Sequence, residues 1–424
     1  MFTNVISQEE FERFDPEMAR LVRAEQERQQ MTLSLVPSEN VSSPHARALE
    51  GGLFADKNAE GYPGKRVAAG CEYADAVERL AIKRLKDIFG CEHANVQPMS
   101  ATIGNVALLN AVLKPGDTIL AMQLCDGGHL SHGAPFHVSG KTFNAAFYSV
   151  EADSERIDLE TVAIIAEKVR PKLIVCGASS YPRLIDYEGF AAIARSVGSL
   201  LWADIAHVAG LIAAKAVPSP FPHADFVTTS THKTWRGPRG VGIIMCRGAW
   251  AGKIDRALFP GLQGAPKVDM IASRATLFKE CMTPKFAEYT GAVLDNAQAL
   301  AESLIEGGIR LVTGGTDTHL LLADVGRIGL NGAEAEQLLA SVGLVVNKNP
   351  IPFDTKPALV GSGIRLGSPA ITTRGLGREE CREIGAMVAE ILRRGCDQET
   401  AAGITGRVRE IAAGHPLFHD KWLH

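Results

Sequence analysis

Between about residues 72 and 280, seven short apolar runs alternate with stretches of helical periodicity, and this alternation limits the fold more than any other feature. The runs are ANVQPM, TILAM, KTFNAAFYSV, KLIVCG, LLWADIA, DFVTTST and GVGIIMC. Between several of them, segments 75–89, Leu159–Val169 and Tyr187–Val197 repeat apolar residues at helical spacing. Short buried strands separated by helices predict an α/β layer around a largely parallel sheet. After residue 285 the pattern changes. A long helix near 285–307, the strand LLLADV, a helix around 333–342, the strands LVVNKN and IRLG and C-terminal helices predict a smaller α+β unit. Ahead of both, residues 8–30 place Phe11, Met18, Leu21 and Val22 on one helical side, an arm of the kind that packs on a partner subunit. Since 424 residues exceed one ordinary core, the expected division is a helical arm over 1–35, a large domain over 36–284 and a small domain over 285–424.

The formal charge of −4 gives no reason to expect a nucleic-acid or membrane partner, although clustered basic residues and helix N-termini can still bind phosphate locally. The charged N-terminus lacks the apolar core of a secretory leader, and no run approaches the roughly 20 apolar residues that span a bilayer. Eight scattered cysteines form no C-x-x-C pair, so reduced thiols, a cytoplasmic setting and no metal site are expected.

The strongest local signal is STHKTWRGPRGVGII, in which an apolar strand delivers Lys233 to a Gly/Pro/Arg-rich turn. Ligands of open α/β sheets bind beyond the C-terminal strand ends. Flanked by His232 and Arg239, a desolvated lysine there has a depressed pKa and is a better nucleophile toward an aldehyde. Alone, it would read as a solvated lysine in a basic loop. Upstream, LLWADIAHVAG ends a strand at Asp204, with His207 three positions on. A buried carboxylate can keep a pyridine nitrogen protonated, which makes the ring an electron sink. The plainer readings are a helix cap for Asp204 and a core imidazole for His207. Ser100 and Thr102 precede an apolar helical pattern, as an anion site at a helix N-terminus requires, though such caps are common. His129 follows two glycines and could stack on a ring or lie in a surface turn; Arg365, among small residues, suits a carboxylate.

From about residue 8 to its C-terminus the chain resembles serine hydroxymethyltransferase, a fold-type-I pyridoxal-phosphate family. The matching stretches are LVPSEN, AEGYPGKR, ANVQP, GGHLSHG, SGKTFN, LLWADIAHVAGLIAA, VTTSTHKTWRGPRG, FPGLQG, VVNKNPIP and SGIRLGSPAITTRG. The resemblance implies a large domain with a mostly parallel seven-stranded sheet, like that of aspartate aminotransferase. It implies that Lys233 takes the cofactor's aldehyde, Asp204 pairs with the ring nitrogen, His129 stacks on the ring and His207 meets its phenolic oxygen. Ser100, the Ala101 backbone and Thr102 would hold the phosphate with Gly264 of a neighbouring subunit, and Ser179 and His232 would also touch the cofactor. Ser38, His207 and Arg365 would receive the substrate carboxylate, and Glu60 would be the acid/base at the hydroxymethyl group. Leu124, Gly128, Leu130 and Asn349 match folate-pocket positions. A homodimer with shared sites, or a tetramer of such dimers, is implied.

The family's two tyrosines after YPGKR are absent, the run being Val67-Ala68-Ala69-Gly70; Asn58, Met99 and Ala265 are further departures from the family pattern. An aromatic of that kind supplies stacking worth about 0.5–1.5 kcal/mol beyond its burial. The expected activity is exchange of a one-carbon unit between serine and glycine with tetrahydrofolate. The vacated space motivates a variant acting on 2-methylserine to give alanine, or a folate-independent aldolase or transaldolase. A catalytically silent cofactor-binding paralogue is the reading from another class, and retention of Lys233, Asp204, Glu60, His129 and Arg365 argues against it.

Overall fold

In the computed structural model, residues 6–395, 397–418 and 420–422 are described; of the eight cysteines, Cys396 lies outside them. All seven strand candidates meet in one sheet: β1 (His93–Asn95), β2 (Thr118–Met122), β3 (Asn144–Tyr148), β4 (Leu173–Cys176), β5 (Leu200–Asp204), β6 (Phe226–Ser230) and β7 (Gly242–Cys246). Their order is β1-β7-β6-β5-β4-β2-β3, with β7 antiparallel to both its neighbours and the other pairs parallel. β4, β6 and β7 are buried at every position, which is why they read as continuous apolar runs rather than alternating ones. The helices Leu159–Val169 and Tyr187–Val197 match their sequence spans, and Glu72–Phe89 starts three residues before its expected span.

Asp158 and Asp186 cap the first two through side-chain oxygens that accept from backbone N–H groups. Parallel crossovers place every β-to-α turn at the same sheet edge, and that edge carries the site.

A second sheet pairs Arg310–Leu311, Leu320–Asp324, Gly363–Gly367 and Asn347–Asn349 in that spatial order, all antiparallel. The long helix Pro284–Glu306 joins the two halves: Phe286, Tyr289 and Val293 belong to the large core, whereas Ala297, Leu300 and Leu304 belong to the second. Leu33 and Leu35 are fully buried in that second core, because Leu33–Ser34 pairs with Leu344–Val345.

The leading helix expected over 8–30 is two helices, Gln8–Phe14 and Pro16–Met31. Pro16 cannot donate to the first helix, and Asp15 accepts from the Met18 N–H at 2.9 Å, so the chain restarts there. Among the described residues no helix is long and apolar enough to cross a membrane.

Candidate active site

Asp204 is the last residue of β5, paired with Thr228 of β6, and Lys233 follows the end of β6 at Ser230 by three positions. Beside this pair, Gly177 has φ +139°, and a Cβ there would collide with the Asp204 carbonyl oxygen. Only glycine lets the loop after β4 pass so close to the β5 end.

The Lys233 side chain makes no hydrogen bond or ion pair among the described residues. Burial pushes its ammonium down to about 8, with Asp204 opposing and Arg365 and Arg239 adding to the shift. Its backbone is tightly held. Asn40 donates from Nδ2 to the Lys233 carbonyl and to the Tyr289 hydroxyl, each at 2.8 Å, while Thr373 donates to Asn40 Oδ1 at 2.7 Å.

Asp204 Oδ2 accepts from His132 Nε2 at 3.0 Å and Asn105 Nδ2 at 2.9 Å, and Oδ1 accepts from the Ala206 N–H at 3.0 Å. Burial alone would raise this carboxyl. The His132 hydrogen bond and the charges of His132 and His129 outweigh burial and hold it below the usual carboxylate range. His129 lies 5.5 Å from His132, centroid to centroid, and burial lowers its imidazole to about 4, with His132 adding to the effect. His207 stacks on His319 at 5.5 Å and 21°, with Nδ1 3.3 Å from its Nε2. Burial and then Lys233 and Arg365 depress both rings, His319 to about 3. His232 is pushed to about 3 by burial and by Lys233.

From the second sheet, Arg365 reaches across to donate from Nη1 to the Ser179 carbonyl at 2.5 Å, and from Nε to Asn347 Oδ1 at 3.3 Å. It has no carboxylate partner among the described residues, and burial lowers it to about 10. Ser100 caps the helix Ala101–Val112 by accepting from the Ile103 N–H at 3.2 Å, which places Ala101 and Thr102 in its first turn.

Thus Lys233, Asp204, His129, His207 and Arg365 share one electrostatic neighbourhood. Other predicted residues lie elsewhere. Glu60 sits beside Gly264, whose added Cβ would be 3.3 Å from Glu60 Oε1. Arg66 donates from Nη1 to the carbonyls on either side of Glu60, Ala59 at 2.7 Å and Gly61 at 2.5 Å, while pairing with Asp75 and Glu78. Ser38 and His232 line a cleft of about 530 Å³ together with Asn40 and Arg239. Leu124 and Leu130 are 36% and 38% exposed, Asn349 donates to the carbonyl of Pro350, and Gly128 is pressed against the Met122 carbonyl. Sequence reasoning missed His132, His319 and Asn40. The i, i+3 repeat of histidine in GGHLSHG was the available signal for His132, and the matching stretch LVPSEN, which ends in Asn40, was the signal for that residue; His319 carried none.

A pyridine aldehyde bearing a phosphate fits these residues. Among the described residues, Ser230 Oγ and His232 Nδ1 are buried without a hydrogen-bond partner, and Asp204 Oδ1 accepts one backbone bond. An ionised carboxylate, a helix N-terminus and an unpaired amine match the three polar ends of that molecule.

A family model described as serine hydroxymethyltransferase matches residues 11–388. A curated serine hydroxymethyltransferase of Coprothermobacter proteolyticus is 52% identical over 404 residues, covering 95% of this chain and 97% of the relative. Those of Crocosphaera subtropica and Rippkaea orientalis are each 48% identical over 405 residues, covering 95% of both chains.

Proposed function

The chain belongs to the serine hydroxymethyltransferase family, and from that premise we propose how its residues divide the work. As a member it is a pyridoxal-phosphate-dependent transferase that exchanges a hydroxymethyl group between serine and glycine, with tetrahydrofolate as cosubstrate. When bound, pyridoxal phosphate supplies an aldehyde that condenses with amines and a protonated ring that accepts electrons from the broken Cα–Cβ bond.

Lys233 offers the amine, already near loss of its proton at neutral pH. Asp204 would hold a proton on the ring nitrogen of the bound group, with His129 at the ring face and His207 at the phenolic oxygen. Ser100, the Ala101 N–H and Thr102 hold the phosphate, with Ser179 and His232 at the cofactor's edge. Arg365 receives the substrate carboxylate together with Ser38 and His207, and Glu60 moves a proton at the hydroxymethyl oxygen. Leu124, Gly128, Leu130 and Asn349 line the folate side. The observation that carries the reading is the unpaired, desolvated Lys233 in the field of an ionised Asp204. Borohydride reduction of the loaded enzyme followed by peptide mapping should place the label on Lys233; label on another lysine overturns it.

Glu60 and Gly264 lie together, and Leu53, Val67 and Tyr73 are 82%, 72% and 71% exposed. This supports a homodimer in which each subunit lends that edge to its partner's site, with pairing of dimers into tetramers an open extension. We assign the enzyme to the cytoplasm, a setting that suits scattered thiols without a paired motif. One observation favours a second substrate. Val67 donates its N–H to the Glu60 carbonyl at 2.9 Å, so small side chains at 67 and 68 adjoin the acid/base and leave room for an α-methyl group. Comparing serine and 2-methylserine cleavage, with and without folate, decides it; fast, strictly folate-dependent turnover of serine alone removes the second substrate.

A further inference from the structure

Two buried side chains with no part in the catalytic scheme, Asn105 and Ser131, lie between His129 and Asp204. The Asn105 atom 2.9 Å from Asp204 Oδ2 faces an ionised carboxylate, so it is the amide nitrogen and donates. The same nitrogen lies 2.9 Å from Ser131 Oγ, and its second hydrogen goes there. The Ser131 hydroxyl lies 2.7 Å from His129 Nδ1 and donates to it when that nitrogen carries the lone pair. The Ser131 backbone N–H, 3.3 Å from the same nitrogen, also needs an acceptor there. The bonds therefore diverge from Asn105, one running to the Asp204 carboxylate and the other through Ser131 to His129. Nδ1 of His129 is the lone-pair end of the ring, and a proton on Nδ1 would meet two donors.

We propose that Asn105 and Ser131 are positioning residues, a directed hydrogen-bond relay that fixes the proton of His129 on Nε2 and ties the orientation of that ring to the carboxylate at Asp204. The proposal rests on the assignment of this chamber to the cofactor but concerns protons that exist without it. Removing the relay leaves His129 free to exchange tautomers and to tilt, so cofactor retention falls although neither residue is assigned a contact with the cofactor.

Two-bond ¹⁵N–¹H correlation spectra of histidine-labelled protein, loaded and cofactor-free, read the tautomer directly, with the His129 signal assigned by its loss in His129→Asn. The expected result is a pyridine-type Nδ1 and a protonated Nε2 in both forms. Ser131→Ala should give mixed tautomers and retain pyridoxal phosphate about three- to ten-fold less tightly; Ser131→Thr, which keeps the hydroxyl, should restore both. A proton found on Nδ1 of the unsubstituted protein overturns the relay, as does a tautomer unmoved by Ser131→Ala in protein whose melting temperature shows that it has folded. Labelling of a lysine other than 233 would instead overturn the cofactor assignment while leaving the tautomer result intact, so the two failures are distinguishable.

Discussion

His132 Nε2 donates to Asp204 Oδ2 across 3.0 Å, with the histidine ring seated edge-on against Trp202 at 4.9 Å. A carboxyl depressed in the fold stabilises it above the unfolded pKa near 4 and loses that effect as pH falls through the lower, folded value. Wild-type Asp204 is thus ionised throughout the working range. His132→Ala should shift that loss upward in pH and weaken cofactor retention by about 10–100-fold, the cost of removing a hydrogen bond to a buried charge. Spectral titration from pH 8 down to 3 measures both. Unchanged retention together with an unchanged acid limb would contradict the role.

Lys233 loses its proton near 8 because its site is dry. Only the free amine attacks an aldehyde, so the rate of covalent loading should climb about tenfold per pH unit below that value and level off above it. Stopped-flow absorbance on cofactor-free enzyme between pH 6.5 and 9.5 tests this. A rate still climbing at 9.5 would mean an ordinary, solvated lysine.

Four buried imidazoles resist protonation: His129 at about 4, His232 and His319 at about 3, and His207 well below the usual value. Below about pH 6.5 the unfolded chain takes up protons that the folded chain refuses until near pH 4 at His129 and near pH 3 at His232 and His319. Their contribution is therefore complete above 6.5 and is lost on acidification toward 4 for His129 and toward 3 for His232 and His319, at up to about 1.4 kcal/mol per pH unit for each ring. Denaturant midpoints of cofactor-free protein at pH 7.5, 6 and 5 should fall in that order, and His319→Gln should flatten the trend. A level profile would show that these rings are hydrated.

Arg365 is buried, yet among the described residues its guanidinium bonds only to a carbonyl, a hydroxyl and an amide oxygen. It keeps its charge for an incoming carboxylate. Arg365→Ala should raise KM for the amino acid about 10–100-fold while kcat falls less, since the lost contact is made in ground and transition states alike. A change confined to kcat would remove the residue from substrate binding.

Much of this was legible from residues alone. The seven strands were, the inner β4, β6 and β7 most plainly, because a sheet covered on both faces reads as unbroken apolar runs. Lys233 and Asp204 were, because the strand ends of a parallel sheet are marked by the turn residues just beyond them. The break at Asp15 was not: apolar spacing persists across it, and only the acceptor geometry of an aspartate before a proline reveals the restart. His319 was equally invisible. Its neighbour His207 lies 112 positions earlier, and their stacking is a product of the two sheets meeting. The proximity of Glu60 to Gly264 is likewise a contact between distant loops.

Asn40 joins the main chain at Lys233 to Tyr289 on the bridging helix and to Thr373 near the C-terminal sheet. The reactive amine is thus mounted on a joint to which segments far apart in sequence are bolted. Any hinge motion that brings the strand of Arg365 over the cleft tugs on that joint, so grip on the substrate and the aim of the lysine are mechanically geared together.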